Sequence, residues 1–362
     1  MDALKPEHLM HGHRRRTLMA VLSILLLAGI ACNSTALPLP LPALADSGLL
    51  GSPGITPTPF YPLAPSLTPA TTATLIAPTP TGTPTNPWGA FAGPIEASAI
   101  EIPPPMPAFN LPQGAEVILL LGSDARPGES MGRNDTIMIA VVDRNSGTLT
   151  LISVPRDLYV YIPGWRVDRV NTAEIRGGLP TLYDTLEYNF GLRPTHVALG
   201  SFTGFMQGVD LLGGIDVQVG GYMSDECGGN YRTYTSGTYH MDGFEALCYV
   251  RVRKASSDFD RLRRQQEVII ALFQRIVSLD GLTRLPELYA QFSSLVQTDL
   301  ALNDVLGLLP VGTAIASDPG RVRRFSIDST MATGWRVPVS GASVLLPNRD
   351  AIQAMLETAI PK

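Results

Sequence analysis

Residues 117–157 read VILLLGSDARPGESMGRNDTIMIAVVDRNSGTLTLISVPRD. Val117–Leu121 is a continuous apolar run, the pattern of a buried strand. Thr136–Val142 and Thr148–Val154 are two further strand candidates. Asp143-Arg144-Asn145-Ser146-Gly147 between them has turn chemistry, which predicts that the two pair as a hairpin. Each apolar run delivers an acid and a base: Asp124 with Arg126, Arg133 with Asp135, and Arg156 with Asp157. Mixed charges at strand ends are costly to desolvate unless something bridges them. A phosphate with a divalent cation would do so, guanidinium forks gripping its oxygens and carboxylates holding the metal. Taken singly, each pair has an ordinary reading. Asp124 is a turn residue that bonds its own backbone, and an exposed Arg–Asp pair is worth under about 1 kcal/mol. Three such pairs at the ends of neighbouring strands, where sheets of this kind hold ligands, favour a site.

Downstream, Pro180–Phe190 is predicted to be a helix, with Leu182, Leu186 and Phe190 on one face. Thr195–Phe202 reads as a strand, and Phe205–Leu212 as a helix stopped by Gly213-Gly214. Ile215–Val219 is a short strand, and 220–239 a Gly- and Tyr-rich loop. Asp242 caps a helix through Phe244, Leu247 and Val250. Asp258–Ser278 is a longer helix with Leu262, Ile269, Leu272, Phe273 and Ile276 at helical spacing. Helices are expected at 284–297, 303–315 and Arg349–Ile360, and a strand at Arg321–Ile327. Intermixed strands and helices point to a layered α/β domain with a mixed sheet.

A second charged cluster comprises Arg251 and Arg253, then Asp258, Arg261, Arg263, Arg264, Gln265 and Gln266. Arg261 and Gln265 are four apart and share a helix face, whereas Arg264 lies on another. A solvated basic helix is the ordinary reading. From Glu116 on, however, the chain holds 23 basic against 27 acidic residues. Arginine concentrated locally in an acidic domain points to an anion site, for which bidentate guanidinium groups are suited. The sequence has no Walker loop, no Gly-x-Gly-x-x-Gly, no Gly-x-Ser-x-Gly and no Cys/His metal pattern. His196 reads as structural. Carboxylates and arginines are the chemical set that is left, and they suit phosphoryl transfer, in which positioning and charge neutralisation dominate.

The 362-residue chain is 45% apolar and carries a net charge of −5, which argues against nucleic-acid binding. Its basic residues are 24 Arg and three Lys. At the N-terminus, His11, His13 and Arg14–Arg16 precede an apolar run of 15 residues, Thr17–Ala31. That is short of the roughly 20 residues of a spanning helix and matches a signal-peptide core. Export is therefore expected. Gly29 and Ala31 fit cleavage after Ala31. Cys32 equally fits a lipoprotein box, although Gly29 stands where leucine is usual. An uncleaved anchor is the third option. Residues 1–32 are thus read as signal or membrane anchor and 33–115 as a disordered linker, with 116–362 as the folded domain. Nineteen of the 31 prolines lie between Pro38 and Pro112, and Asp46 is the only charge between Asn33 and Ile95. Such a stretch cannot build a core of its own. Cys227 and Cys248 are either an extracytoplasmic disulfide or two unpaired thiols; their spacing does not decide.

These residues fall in ordered blocks: LLLGSDAR, RNDTIMIAVVD, LISVPRDLYVYIPG, RVNTAEIRGG, GVDLLGGIDVQV, MDGFEALCYVRVRK and DFDRLRRQQ, within 117–266. In this order and spacing the chain resembles the LytR-CpsA-Psr family of bacterial envelope enzymes. The resemblance implies a three-layer α-β-α domain around a central mixed β-sheet. It also implies Mg2+-assisted transfer of a glycopolymer from a polyprenyl-pyrophosphate carrier to a peptidoglycan hydroxyl, outside the cytoplasm and tethered to the membrane. Asp124 and Asp135 would hold the metal. Arg133, Arg156, Arg251 and Arg253 would clamp the pyrophosphate, with Arg261 and Gln265 completing the head-group site. Arg156, Arg251, Arg253 and Asp258 would be catalytic, Asp258 as base or acceptor-orienting group. Two departures from the family pattern are Arg169 for lysine and Asp260 for glycine; the second adds a negative charge beside the clamp. Leu182, Leu186, Phe190, Phe202, Phe205 and Met206 are candidates for a lipid groove, and core packing explains them equally well. Three other readings stand beside this one: a non-catalytic polyprenyl-phosphate binding or regulatory protein, a pyrophosphatase, and a DNA-binding regulator, against which the export signal and net acidity speak.

Overall fold

The structure, a computed structural model, describes residues 87–124, 134–253, 257–279, 283–338 and 340–360. The signal or anchor segment, most of the linker, and Arg126 and Arg133 lie outside the described residues.

The quoted stretch forms β1 (Ala115–Ser123), β2 (Asn134–Asp143) and β3 (Thr148–Val154), joined in an antiparallel meander. Asp143 closes the expected hairpin turn, its carboxylate accepting from the Asn145 amide at 2.9 Å and the Ser146 hydroxyl at 2.6 Å. A small ribbon follows, β4 (Tyr159–Tyr161) with β5 (Val167–Arg169), and then α1 (Ala173–Phe190). Gly177 and Gly178 break α1 into two pieces, and Gly178 needs its glycine because φ is +71°. Next come β6 (His196–Ser201), α2 (Phe202–Leu211), β7 (Ile215–Val219), β8 (Met223–Cys227), β9 (Asn230–Tyr234) and β10 (Gly237–Met241). The chain continues through α3 (Gly243–Arg251), α4 (Asp258–Ser278), α5 (Leu285–Phe292), β11 (Val296–Thr298), α6 (Leu302–Gly307) and α7 (Leu309–Ser317). It ends with β12 (Val322–Ser326), β13 (Ala332–Arg336), β14 (Ser343–Pro347) and α8 (Arg349–Ala359).

The main sheet runs β11-β6-β1-β2-β3-β12. β1 is parallel to β6 and β3 to β12, while the other three pairings are antiparallel. Side-chain alternation along its strands feeds two cores. Val117, Leu119, Ile137, Ile139 and Ile152 face Leu182, Leu186 and Phe190 of α1 and Ile352 and Leu356 of α8. Ile118, Met138, Ala140 and Leu151 face Ile269 and Phe273 of α4 and Val311 and Ile315 of α7. The result is a three-layer α-β-α domain with a mixed central sheet.

Several expectations need correction. The 220–239 loop is instead three strands. Gly228 and Gly229, at φ +62° and +79°, make a two-residue turn between the paired residues Cys227 and Asn230. Such positive-φ turns match the twist of flanking strands. β10 then pairs with β7. The 284–297 helix stops at Phe292, and Val296–Thr298 adds an edge strand. The 303–315 helix is two short ones, α6 and α7.

The largest correction is to the linker. Residues 87–114 have no regular structure, yet they lie along the domain. Met106 donates its amide to Tyr188 O at 2.8 Å, and Ile95 donates to Trp165 O at 3.0 Å. Tyr161 and Tyr188 donate their hydroxyls to Ala92 O and Pro103 O at 2.7 and 2.8 Å. Trp88, Phe91, Ile100 and Ile102 pack on Tyr159, Tyr161 and Tyr188. A proline-rich segment needs no core of its own when its few large side chains borrow one.

Candidate active site

The meander explains why the acid–base pairs converge. Antiparallel pairing sets the end of β1 beside the start of β2, with Ser123 opposite Asn134, and the start of β2 beside the end of β3, with Ile137 opposite Val154. Asp124, Asp135, Arg156 and Asp157 therefore share one edge of the sheet. There Arg156 Nη1 donates to Asp135 Oδ1 at 2.5 Å, and its Nε to Asp157 Oδ2 at 3.3 Å. Arg169, at the end of β5, reaches the other Asp157 oxygen at 3.6 Å.

The second cluster meets the first at Asp135, whose Oδ2 lies 3.8 Å from Arg253 Nη2. Arg253 is presented by the chain leaving α3. Asp242 starts that helix, its carboxylate accepting the Glu245 amide at 2.8 Å. Arg264 fastens the exit: it is fully buried and donates to Val252 O, between Arg251 and Arg253, at 2.6 Å. The sequence reading placed Arg264 on another helix face and missed its task of holding the arginine segment. Arg261 is 4% exposed, pairs with Asp258 with Nη2 2.9 Å from Oδ1 and donates to Oδ2 at 3.1 Å, while its buried Nε has no partner. Gln265, one turn on, is also buried, with its carbonyl oxygen unpartnered. Gln266 is a structural tie, donating to Ser153 Oγ and Phe325 O. Asp260 sits outside the clamp, as the third residue of a capping box with Ser257. The hydrogen bond with Ser257 holds its carboxyl below the usual range.

Burial lowers the Arg261 pKa; Asp258 and Asp135 oppose that, and Arg156 and Arg253 reinforce it. Burial also works against Arg156, but its hydrogen bond to Asp135 and the charges of Asp135, Asp157 and Asp258 outweigh it and raise the pKa. Arg261 thus lies within the fields of Arg156 and Arg253. A buried guanidinium edge with no protein partner is an incomplete anion site.

An apolar cavity of about 300 Å³ adjoins the cluster, lined by Leu120, Phe202, Phe205, Leu247, Val250, Gln265 and Val268 among others. The Arg251 guanidinium lies 5.0 Å over the Phe202 ring, so this exposed arginine stands by the cavity wall. Of the candidate groove residues, Phe202 and Phe205 line the cavity. Leu182, Leu186 and Phe190 belong to the core beneath the sheet, and Met206 is half-buried outside the lining.

Among the described residues, no group of three or more His, Cys, Asp or Glu side chains gathers as a metal centre. Asp124 and Asp135, at adjoining strand ends, are the carboxylates that could hold a metal. That composition fits Mg2+, which takes one or two carboxylates and completes its shell with substrate phosphate and water.

Asn134, 2% exposed, donates to Glu174 at the start of α1. Neither was singled out from the sequence, although both lie in the quoted blocks RNDTIMIAVVD and RVNTAEIRGG. Burial pushes the Glu174 carboxyl up, and the Asn134 hydrogen bond only partly offsets this. A raised carboxyl favours the fold below its unfolded pKa and loses that contribution as pH rises through the folded value. Glu174→Gln, which keeps an acceptor for Asn134, is therefore expected to raise the melting temperature more at pH 7 than at pH 4. An equal shift at both, read by thermal melts, would show that the charge carries no cost. His196, as expected, is structural, beside Asp299, which caps the Val197 amide. Cys227 and Cys248 form a disulfide, which decides the open pairing.

The sequence profile of the LytR_cpsA_psr family matches residues 96–360. The chain belongs to the LytR_cpsA_psr family. Among relatives, it is 31% identical over 247 residues to the polyisoprenyl-teichoic acid–peptidoglycan teichoic acid transferase TagT of Bacillus subtilis (strain 168), covering 65% of this chain and 73% of TagT. It is 34% identical over 206 residues to the transferase TagU of Oceanobacillus iheyensis, covering 53% and 61%. It is also 33% identical over 198 residues to the regulatory protein MsrR of Staphylococcus aureus, covering 53% and 59%. The chain thus spans about three-fifths of the length of the last two. A structure of TagT bound to LI-WTA superposes with a TM-score of 0.53 at 27% identity, over 68% of this chain and 90% of TagT. The B. subtilis TagV crystal structure gives 0.59 at 24% identity over 69% and 98%, a likeness of fold. Both matches agree with the three-layer LytR_cpsA_psr architecture described above.

Proposed function

We propose that this LytR_cpsA_psr protein is a membrane-tethered, extracytoplasmic phosphotransferase. It moves a glycopolymer from a polyprenyl-pyrophosphate carrier to a peptidoglycan hydroxyl. The observation that carries this is the juxtaposition of buried, incompletely satisfied Arg261 with Arg156 and Arg253, beside an apolar cavity. A lipid diphosphate has the matching halves: an anionic head for the guanidinium groups and a hydrocarbon chain for the cavity. The names of TagT and TagU support the reaction class.

In the reaction a sugar hydroxyl oxygen attacks the phosphorus that bears the polymer. The new P–O bond forms as the P–O–P bridge breaks, and polyprenyl phosphate leaves with the bridging oxygen. Arg156 and Arg253 stand where charge grows on the departing and transferred phosphates, and preorganised guanidinium groups favour that transition state. Arg261 grips the head group from below, oriented by Asp258. Asp258 also stands as the candidate acceptor for the hydroxyl proton. Mg2+, held by Asp124 and Asp135, would neutralise further diphosphate charge.

The test is release of polyprenyl phosphate from a lipid-diphosphate glycan, with and without Mg2+ and a peptidoglycan acceptor. Release that needs both is the expected result. Release with water alone would make the protein a pyrophosphatase. Tight binding without release would favour a regulatory lipid-binding protein; the name of MsrR speaks for a regulatory role.

A further inference from the structure

We propose that Glu96, on the segment docked ahead of the domain, is a positioning residue for Arg156, acting through the β4–β5 ribbon. The proposal rests on the transfer reading above in taking Arg156 as part of the clamp. It adds that the tether side of the chain sets how that guanidinium is aimed.

The ribbon is small. β4 and β5 pair over three residues each, Tyr159 with Arg169, Val160 with Asp168 and Tyr161 with Val167. A lone two-stranded ribbon is marginal and takes its position from what packs on it. Two segments do so here. Leu345 of β14 donates its amide to Asp157 O at 2.9 Å. Residues 92–98 supply the rest. Gly164 donates its amide to Ala92 O at 3.1 Å, and Trp165 O accepts the Ile95 and Glu96 amides at 3.0 and 3.2 Å. The Val167 amide donates to Ser98 Oγ at 2.9 Å.

Charged groups then lead step by step from this segment to the clamp. Arg166 donates from Nη1 to Glu96 Oε2 at 2.9 Å and from Nη2 to Asp168 Oδ2 at 2.8 Å. The other Asp168 oxygen accepts the Arg169 amide at 2.8 Å. Arg169 Nη1 lies 3.6 Å from Asp157 Oδ1, and Asp157 Oδ2 accepts from Arg156 Nε at 3.3 Å. Each charged group is thus shared between two neighbours. Without Glu96, Arg166 is left to Asp168 and pulls that carboxylate off the Arg169 amide. Arg169 then loosens from Asp157, which closes on Arg156. A guanidinium held more tightly by its own carboxylate has less of its fork to offer a phosphate.

Two features make this separable from folding and from general charge. The Glu96 and Arg166 side chains are 45% and 36% exposed, so their pair adds little to stability. The sign is also distinctive. Through the overall field, removing an acid favours an anionic ligand. Through this chain of contacts, removing Glu96 weakens its binding.

The experiment measures farnesyl diphosphate affinity and thermal melting for the full chain and its variants. Glu96→Gln is expected to bind about threefold more weakly, with a melting temperature within about 2 °C of the wild type. Glu101→Gln removes the same charge from the same segment outside these contacts, and is expected to bind at least as tightly as the wild type. In an Arg169→Met background, Glu96→Gln should cost nothing further, since the path is already cut. Unchanged or tighter binding by Glu96→Gln overturns the proposal. So does an equal loss in Glu101→Gln, or a full loss that persists in Arg169→Met. A melting temperature that falls in step with affinity makes Glu96 a stabiliser of the fold and overturns it too. If the wild type fails to bind farnesyl diphosphate, the transfer reading itself fails; if it binds and Glu96→Gln binds equally, the positioning role alone is wrong.

Discussion

Arg156→Ala is expected to lower kcat/KM for polymer transfer by about 10²–10³-fold, the usual cost of removing one preorganised group from a developing charge. Arg156 is held on two sides, by Asp135 at 2.5 Å and by Asp157 at 3.3 Å, so it meets the phosphate with little reorganisation. Its side chain is 21% exposed, and truncation opens no apolar core. Asp135 keeps Arg253 as a counter-charge in the variant. The fold should persist, with an unchanged far-ultraviolet spectrum and a cooperative melt. Arg156→Lys keeps the charge but loses the fork that spans two carboxylates, and should recover only part of the activity. Wild-type rates in Arg156→Ala would remove this residue from the mechanism.

The second large effect is expected from the disulfide. Replacing Cys227 and Cys248 by Ala releases a loop of 21 residues, for which the chain-entropy estimate is roughly 3 kcal/mol of lost stability. The loss should fall unevenly. The bond joins the end of β8 to the middle of α3. Without it, the hairpin that holds the Arg253 amide through Asp225 loses its covalent attachment near the clamp. Diphosphate affinity should therefore drop along with the melting temperature. A melting shift with unchanged diphosphate affinity would mean that the disulfide does not position the clamp. Reduction of the wild type should reproduce the variant's behaviour.

How far the sequence carries depends on which force shapes each element. The central meander and α4 were legible because apolar period and turn chemistry agree there. Asp258–Ser278 even keeps its expected bounds. Convergence of Arg156 with Asp135 followed from antiparallel pairing of runs whose ends carry charge. Arg264 was not legible, since helical spacing gives a face but not what lies against it; here it is a backbone carbonyl 12 residues back. Glu174 and Asn134 were hidden for a similar reason, being 40 residues apart and joined only by tertiary packing. The β8–β9 hairpin was lost because glycine at a two-residue turn and glycine in an irregular loop look alike. Arg133 lies outside the described residues, and the metal-holding part assigned to Asp124 rests on adjacency of strand ends.

The docked segment 87–114 has a practical consequence for anyone cutting this protein. A fragment begun at residue 116, where composition places the start of the domain, would strip Tyr159, Tyr161 and Tyr188 of Trp88, Phe91, Ile100 and Ile102. It would leave a wet aromatic scar and two tyrosine hydroxyls without their carbonyl acceptors. Such a fragment should clump on purification, whereas one begun at Pro87 should stay monodisperse. Limited proteolysis should likewise spare the stretch from Pro87 to Glu116.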